Sequence, residues 1–353
     1  MWIVKSFIIP LFIPHEGCPH QCVFCNQTNI TGQTKPVAAA AVAATIAAGL
    51  DRLTQKRRVE VAFYGGSFTA LPLSLQAKLL QPAYLALQSG RVDGIRLSTR
   101  PDCLSGGVLD LLRRFGVATV EIGVQSFDDA VLRQSGRGHS AADAAAALAS
   151  LHAAGFSTVA QLMIGLPGES WDSLLATAAA LERIRPQAVR IYPTLVLADT
   201  PLAALYRSGD YRPLSMEEAV AKAAFLKWQA ERLGITVIRT GLQATDELDQ
   251  AGTILAGPYH PAFGEMVASH LFYLMAARVF ELAVQDCQQA IFYHHPKDHS
   301  KLRGLGGANL RRWQREYGIR VSCRSDAAIA AGELLIDYNG VKYQTRPSVL
   351  SEV

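Results

Sequence analysis

The chain has 353 residues, half of them hydrophobic and 18% charged, with a formal net charge of +4. That length and apolar content allow one large α/β domain with a smaller appendage, and they exclude a globally disordered chain. No apolar run reaches the length of a membrane-spanning helix, so no membrane partner is expected.

The first predicted element is the apolar run 7–13. It holds Pro10 and lacks the small-residue cleavage site of a signal sequence, so it is expected as a buried strand. It leads into Gly17-Cys18-Pro19-His20-Gln21-Cys22-Val23-Phe24-Cys25, where the three cysteines have the spacing C-x3-C-x2-C. Four thiolates would close a tetrahedral site. Three so near together suit a [4Fe–4S] cube in which one iron lacks a protein ligand and is free to bind a small molecule. Phe24 is placed to shield such a cluster and to stack on a planar group. The alternatives are a zinc knuckle with His15 or His20 as fourth ligand, or three unassociated thiols. Six cysteines with three clustered do not make a disulfide framework in a chain of this size. Cys103, Cys287 and Cys323 read as isolated structural thiols. An oxygen-sensitive cluster implies a reducing cytoplasm.

Further strands are predicted at 59–64, 95–99, 119–124, 159–164 and 188–195. Between them lie helical patterns at 37–53, 74–88, 107–115, 141–154 and 171–183. The Ala-rich tracts 38–48 and 141–149 read as plain helices rather than low complexity, because Ala has the best helix propensity. Strand–helix alternation of this kind argues for a parallel sheet with right-handed crossovers. A long helix, 216–233, follows Pro213 and is stopped at Gly234. Beyond about 241 the alternation fades into the loop 257–264, an apolar helix 265–282 and a strand 290–294. The domains are accordingly expected at 1–245 and 246–353.

The net positive charge lies at the end of the chain. From position 287 onward there are ten Lys and Arg against six Asp and Glu, with 24 of each before it. Lys297, Lys301, Arg303, Arg311, Arg312 and Arg315 could meet phosphates, or could form a solvated helix face. Trp313 and Tyr317 could stack on bases or anchor a core. His260, His294, His295 and His299 raise the question of a second metal, but no cysteine or acid pattern accompanies them.

Seven motifs in order carry a family resemblance: the cysteine motif, Phe63-Tyr64-Gly65-Gly66-Ser67-Phe68, Ser98-Thr99-Arg100-Pro101-Asp102, Glu121-Ile122-Gly123-Val124-Gln125-Ser126-Phe127, Arg137-Gly138-His139, Gly165-Leu166-Pro167-Gly168 and Arg190-Ile191-Tyr192-Pro193-Thr194-Leu195-Val196. The chain resembles the radical S-adenosylmethionine (SAM) superfamily. Within it the likeness is to the radical SAM part of the Elongator catalytic subunit, and more loosely to oxygen-independent coproporphyrinogen oxidase. The resemblance implies an α/β fold, a partial (β/α)6 barrel with a smaller C-terminal α+β extension. Functional loops then follow the strands' C-terminal ends, where the motifs fall.

It also implies the cofactors: a [4Fe–4S] cluster on Cys18, Cys22 and Cys25, and SAM chelating the open iron. Reductive cleavage would give a 5′-deoxyadenosyl radical for hydrogen abstraction, with the electron from a reductant such as flavodoxin or ferredoxin. Gly65, Gly66 and Ser67 match the segment meeting the SAM amino group. Gln125 and Arg137 match contacts to the SAM ribose and carboxylate. Ile164 and Leu195 match contacts to adenine. Relatives carry a glutamate where Ser98 stands, and often an aspartate where Gln161 stands. Serine and glutamine can still hydrogen-bond a ribose hydroxyl but cannot balance a positive charge, a task left to Glu121 or Asp102. The resemblance leaves the residues acting on substrate unknown and makes tRNA a candidate partner, since Elongator acts on a tRNA wobble uridine. The chain ends about where that family's acetyltransferase domain begins. Enzymes of porphyrin-like or other small-molecule metabolism, and a non-catalytic Fe–S or zinc RNA-binding module, are the competing functions.

Overall fold

The computed structural model describes residues 6–13, 18, 20–26, 37–55, 57–243, 245, 248–283 and 287–347. Contacts divide the chain into two compact units, Met1–Pro213 with Ala244–Gly257, and Leu214–Gln243 with Pro258–Val353. Composition suggests one boundary near 245. The units instead interleave, because the helix Met216–Arg232 packs on the helix Phe263–Leu282 and so belongs with the residues that follow.

In the first unit, β1 (Phe7–Ile13), β2 (Val59–Gly65), β3 (Gly94–Thr99), β4 (Val117–Gln125), β5 (Ser157–Ile164) and β6 (Ala188–Pro193) are parallel neighbours in chain order. Between them stand α1 (Ala39–Asp51), α2 (Leu73–Gln88), α3 (Gly106–Arg114), α4 (Asp129–Gln134), α5 (Ala141–Ala153) and α6 (Trp171–Ile184). Crossovers of one hand, all stepping in one direction, put the helices on one face and leave the other as a lumen. This is the expected partial barrel. The Ala-rich tract of α5 is a regular helix, started by a capping box between Ser140 and Asp143.

Side-chain alternation divides each strand between the two faces. Ala160, Leu162 and Ile164 are fully buried, while Gln161 and Met163 between them are half-buried. The same holds for Leu97 against Arg96 and Ser98, and for Ile191 against Arg190 and Tyr192. The apolar set packs under the helices and the polar set lines the lumen. One prediction of extent differs. β6 stops at Pro193, and Val196–Leu197 leaves it to pair antiparallel with Ile254–Ala256.

In the second unit, α7 (Met216–Arg232) and α8 (Phe263–Leu282) precede β7 (Gln289–His294), α9 (His299–Arg303), α10 (Ala308–Tyr317), β8 (Arg320–Ser325), β9 (Leu334–Tyr338) and β10 (Val341–Thr345). The sheet order is β8-β7-β9-β10, with β7 parallel to β8 and antiparallel to β9. The β9–β10 hairpin closes through Asn339-Gly340, both at positive φ (55° and 78°), as a two-residue turn that matches strand twist requires.

Trp313 is fully buried, its ring 5.1 Å from Phe292 and 6.2 Å from Tyr273. Tyr317 packs on Phe280 at 5.5 Å. Trp313 is a core anchor, not a base-stacking platform, while Tyr317 is half-buried against the core. Arg312 and Arg315 are tied to Glu316 at 2.9 and 3.1 Å, and Lys301 to Asp298 at 2.9 Å. Those cations are partly neutralised within the fold. Among the described residues no helix is long and apolar enough to cross a membrane.

Candidate active site

The cysteine loop is anchored at the strands' C-terminal ends by its own backbone. The Val23 amide donates to Ser135 O (3.1 Å), and the Leu202 amide donates to Val23 O (2.8 Å). Phe24 packs with Val23 against Val196, Leu202, Ala203 and Tyr211. Gly138 passes so close that a Cβ would come within 2.4 Å of the His20 ring, and its φ of 69° favours glycine as well. His15 lies outside the described residues. Cys18, Cys22 and Cys25 are not joined in disulfides; Cys22 is buried and the other two partly exposed.

Two arginines converge on Cys22. Arg137 Nη1 lies 3.1 Å and Arg100 Nη1 3.9 Å from its Sγ. Arg137 Nη2 donates to Gly123 O, and Arg100 Nη2 donates to Arg137 O. Arg100 also grips Asp102 through two contacts of 2.9 Å. Burial raises the Cys18 thiol, opposed by the Ser67 amide and Arg100, raised further by Cys22 and lowered by Arg137. Nearby cations of this kind favour thiolates. Burial likewise pushes the Asp102 carboxyl up, but the Arg100 guanidinium outweighs it and holds the group below its usual value. His139, 7% exposed, is lowered to about 4 by burial and then by Arg137 and Arg100. Its Nε2 lies 3.3 Å from Val124 O, an acceptor, so Nε2 carries the hydrogen.

Gln125 ends β4 at φ 69°, a left-handed conformation uncommon outside glycine, beside a register shift between Gly123 and Gln125. Its Oε1 accepts from Gln161 Nε2 at 3.3 Å. At Gly123 an added Cβ would stand 3.1 Å from Gln125 Nε2 and 3.2 Å from Arg137 Nη2. Gly123, Gln125, Arg137 and Gln161 thus meet in one place. Arg137 Nε is buried there without a hydrogen-bond partner among the described residues.

Below them, the lumen holds a charge network. Glu121 accepts from Arg190 Nε (2.7 Å) and Nη2 (3.2 Å), from Arg96 Nη1 (3.1 Å) and from Tyr64 Oη (3.0 Å). Arg96 also reaches Glu60 at 2.5 Å, and Arg190 donates to Tyr64 and Tyr192. Glu121 and Asp102, the acids expected to compensate for Ser98 and Gln161, are therefore both committed to arginines.

Other expected contacts are placed as follows. The Gly66 amide donates to Ile13 O (2.8 Å), and Gly65 has φ 100°. Ser67, 1% exposed, bonds Thr99 Oγ1 (2.9 Å) and accepts from the Arg100 amide (3.2 Å), tying β2's end to β3's. Ser98 Oγ is 3.4 Å from Phe63 O. Ile164 shares the strand face of Ala160 and Leu162, opposite Gln161. Leu195 is buried beside Gly257, where an added Cβ would come within 3.2 Å of Leu195 Cα.

Two participants have no role in the motif reading. Arg100 is visible in sequence as the Arg-x-Asp spacing that makes its clamp. Cys103, expected to be isolated, has its thiol 3.8 Å from Asp102 Oδ1, and its charge is coupled to those of Asp102, Arg100 and Cys18. Among the described residues no three His, Cys, Asp or Glu side chains stand close enough to hold a single metal ion. A cube places each thiolate on a different iron. The donor set fits one: three thiols outside disulfides, cationic surroundings at Cys22, and beside it a buried guanidinium nitrogen without a partner among the described residues.

The sequence matches the radical SAM superfamily over residues 12–181 and the radical SAM C-terminal domain over residues 186–272. The chain belongs to that superfamily and is a radical SAM enzyme. It is 31% identical over 228 residues to an uncharacterised protein of Methanocaldococcus jannaschii, covering 62% of this chain and 70% of that one. It is 26% identical over 230 residues to the tRNA uridine(34) acetyltransferase of Dehalococcoides mccartyi (56% and 50%). It is 32% identical over 196 residues to human Elongator complex protein 3 (47% and 34%). The chain thus spans half or less of these last two relatives. The solved Elp3 of Methanocaldococcus infernus, lacking its N-terminus, shares the fold at a TM-score of 0.58 and 19% identity, over 96% of this chain and 76% of that one.

Proposed function

We propose that Cys18, Cys22 and Cys25 hold a [4Fe–4S] cluster, that SAM binds beside it, and that the enzyme abstracts hydrogen from a tRNA base. The observation that carries the SAM site is Arg137. It is a buried cation beside Cys22 with no carboxylate partner among the described residues and an unused Nε–H. A guanidinium so placed suits the carboxylate of an amino acid. The cluster, when bound, supplies the electron that cleaves SAM to a hydrogen-abstracting 5′-deoxyadenosyl radical.

The chain's own groups bind and orient. The glycine carbonyls at 65 and 66 accept from the SAM ammonium. The amides of Gln125 and Gln161 and the hydroxyl of Ser98 reach ribose hydroxyls. Phe24 would shield the cluster, and Leu195 would meet the adenine. The lumen favours a polar substrate, because Tyr64, Arg96, Glu121, Gln161, Arg190 and Tyr192 line it. A tetrapyrrole would ask for an apolar wall. The relatives that carry tRNA uridine in their names support the RNA reading.

Anaerobic reconstitution tests the proposal. Iron and sulfide should load, SAM with dithionite should release 5′-deoxyadenosine, and a tRNA transcript should raise that release above background. Cys22→Ala should abolish loading and release together. Zinc in place of iron, or intact SAM, overturns the cluster reading. Release that ignores tRNA overturns the substrate.

A further inference from the structure

Within the second unit, outside every motif assigned above, lies a cavity of about 480 Å³, within the usual range for small-molecule sites. Ser269 and Glu265 of α8, His299, Ser300 and Arg303 of α9, and the turn 304–307 form its walls.

Its polar groups can be assigned by elimination. His294 is fully buried, and its Nδ1 lies 2.9 Å from His295 O. A carbonyl only accepts, so Nδ1 carries the hydrogen and Nε2 is a lone pair. His299 Nδ1, 3.2 Å from that Nε2, must then donate. This leaves His299 Nε2 as an acceptor on the cavity wall. Its present donor, Arg303 Nη1, is 3.4 Å away, a long contact. Desolvation, His294 and Arg303 all lower His299's affinity for a proton.

Arg303 has no carboxylate partner among the described residues, unlike Lys301, which Asp298 neutralises at 2.9 Å. Ser269 is 8% exposed and its Oγ accepts from Asn309 Nδ2 at 3.0 Å, so its own hydrogen finds no acceptor among the described residues. The wall is fixed in place. Asn309 Nδ2 reaches Ser269 O and Leu302 O as well, and a Cβ at Gly304 would meet Ser269 Oγ at 3.0 Å.

Among the described residues, a cation without a carboxylate partner, a hydroxyl hydrogen without an acceptor and a neutral imidazole acceptor ask for an anion flanked by a hydroxyl. We propose that this cavity is a subsite for a ribonucleotide phosphodiester, with Arg303, Ser300 and Ser269 on the phosphate and His299 Nε2 accepting from the ribose 2′-hydroxyl. Glu265, also lining the cavity, disfavours a doubly charged phosphate more than a singly charged diester. A 2′-hydroxyl contact separates RNA from DNA. The subsite deepens the tRNA reading without needing the cluster.

The test uses the full chain without cluster, titrated at low ionic strength with the dinucleotide UpU and its 2′-deoxy counterpart. UpU should bind, the deoxy form several-fold more weakly, and Arg303→Gln should weaken UpU about tenfold, as expected for a lost charge-assisted contact. Ser269→Ala should weaken it less, Cys22→Ala not at all. Nitrogen-detected NMR of the free chain should show the Nδ1–H tautomer of His299, and its Nε2 resonance should move with UpU but not with the deoxy form. Absence of UpU binding, or equal binding by Arg303→Gln, overturns the subsite even where tRNA stimulates SAM cleavage. UpU binding through Arg303 without such stimulation leaves the subsite standing and removes tRNA as substrate.

Discussion

Arginines of the first unit receive opposite treatments: the half-buried pair in the lumen is matched by acids, and one of the two buried at the strand ends is not. In the lumen, Arg96 and Arg190 share Glu121, and Arg96 also holds Glu60. At the strand ends Arg100 is matched by Asp102, whereas Arg137 meets no carboxylate among the described residues, only a thiol and a carbonyl. An arginine matched by a carboxylate holds strands together and carries no uncompensated charge. A buried cation without a counter-charge carries a desolvation cost that an anionic ligand can offset. The difference separates braces from binding groups where residue type alone does not.

The largest expected effect comes from removing the shared acid. Glu121→Ala removes the buried acid that Arg96 and Arg190 share and leaves Arg190 without its carboxylate, and breaking a buried network this way costs about 3–5 kcal/mol. Urea unfolding of the cluster-free chain measures it. A loss below about 1 kcal/mol would mean that water already screens the lumen, and the distinction between the two regions would collapse.

The second effect is a pH dependence at the strand ends. His139 titrates near 4 in the fold, against about 6.5 when free, because burial and the two arginines oppose its charge. The unfolded chain therefore binds more protons between those values, and stability falls as pH drops from 6.5 towards 4, by about 3 kcal/mol at most. His139→Gln should flatten that part of the slope. His270, lowered to about 4 by burial and Arg312, supplies another slope in the second unit and must survive in the variant. Identical pH profiles for variant and parent would show His139 to be protonated in the fold.

Much of this was legible in residues alone. The cysteine spacing and the order of apolar runs located six strands, and every motif at a strand end is where a barrel of this kind puts its loops. The direction of each side chain was not legible, because it depends on register: a motif containing both Glu121 and Gln125 does not say that the first is spent on Arg190 while the second bends into a left-handed conformation. Ile164 illustrates the same point, since one position along β5 separates the lumen face from the helix face. The interleaved units depend on packing between α7 and α8, 30 residues of chain apart, which no local pattern encodes. The β9–β10 hairpin is a different case. Its Asn339-Gly340 signal stood in plain view between two strand-like runs, and the fading of strand–helix alternation hid it.

The smallest effect on the fold is the most informative for the site. Arg137→Gln removes a cation that has no acid to lose, so the cluster-free chain should change stability by less than half the Glu121→Ala loss. The two hydrogen bonds to Cys22 and Gly123 would be weakened, worth about 1 kcal/mol each, while the cost of burying the charge disappears. Equilibrium binding of SAM to the reconstituted enzyme should weaken about tenfold or more, because a charge-assisted carboxylate contact is gone. Arg137→Lys should restore part of that affinity but not the fork geometry. If Arg137→Gln instead unfolds the chain as readily as Glu121→Ala and leaves SAM affinity intact, Arg137 is a brace for the cysteine loop, and the SAM carboxylate must be sought at another cation.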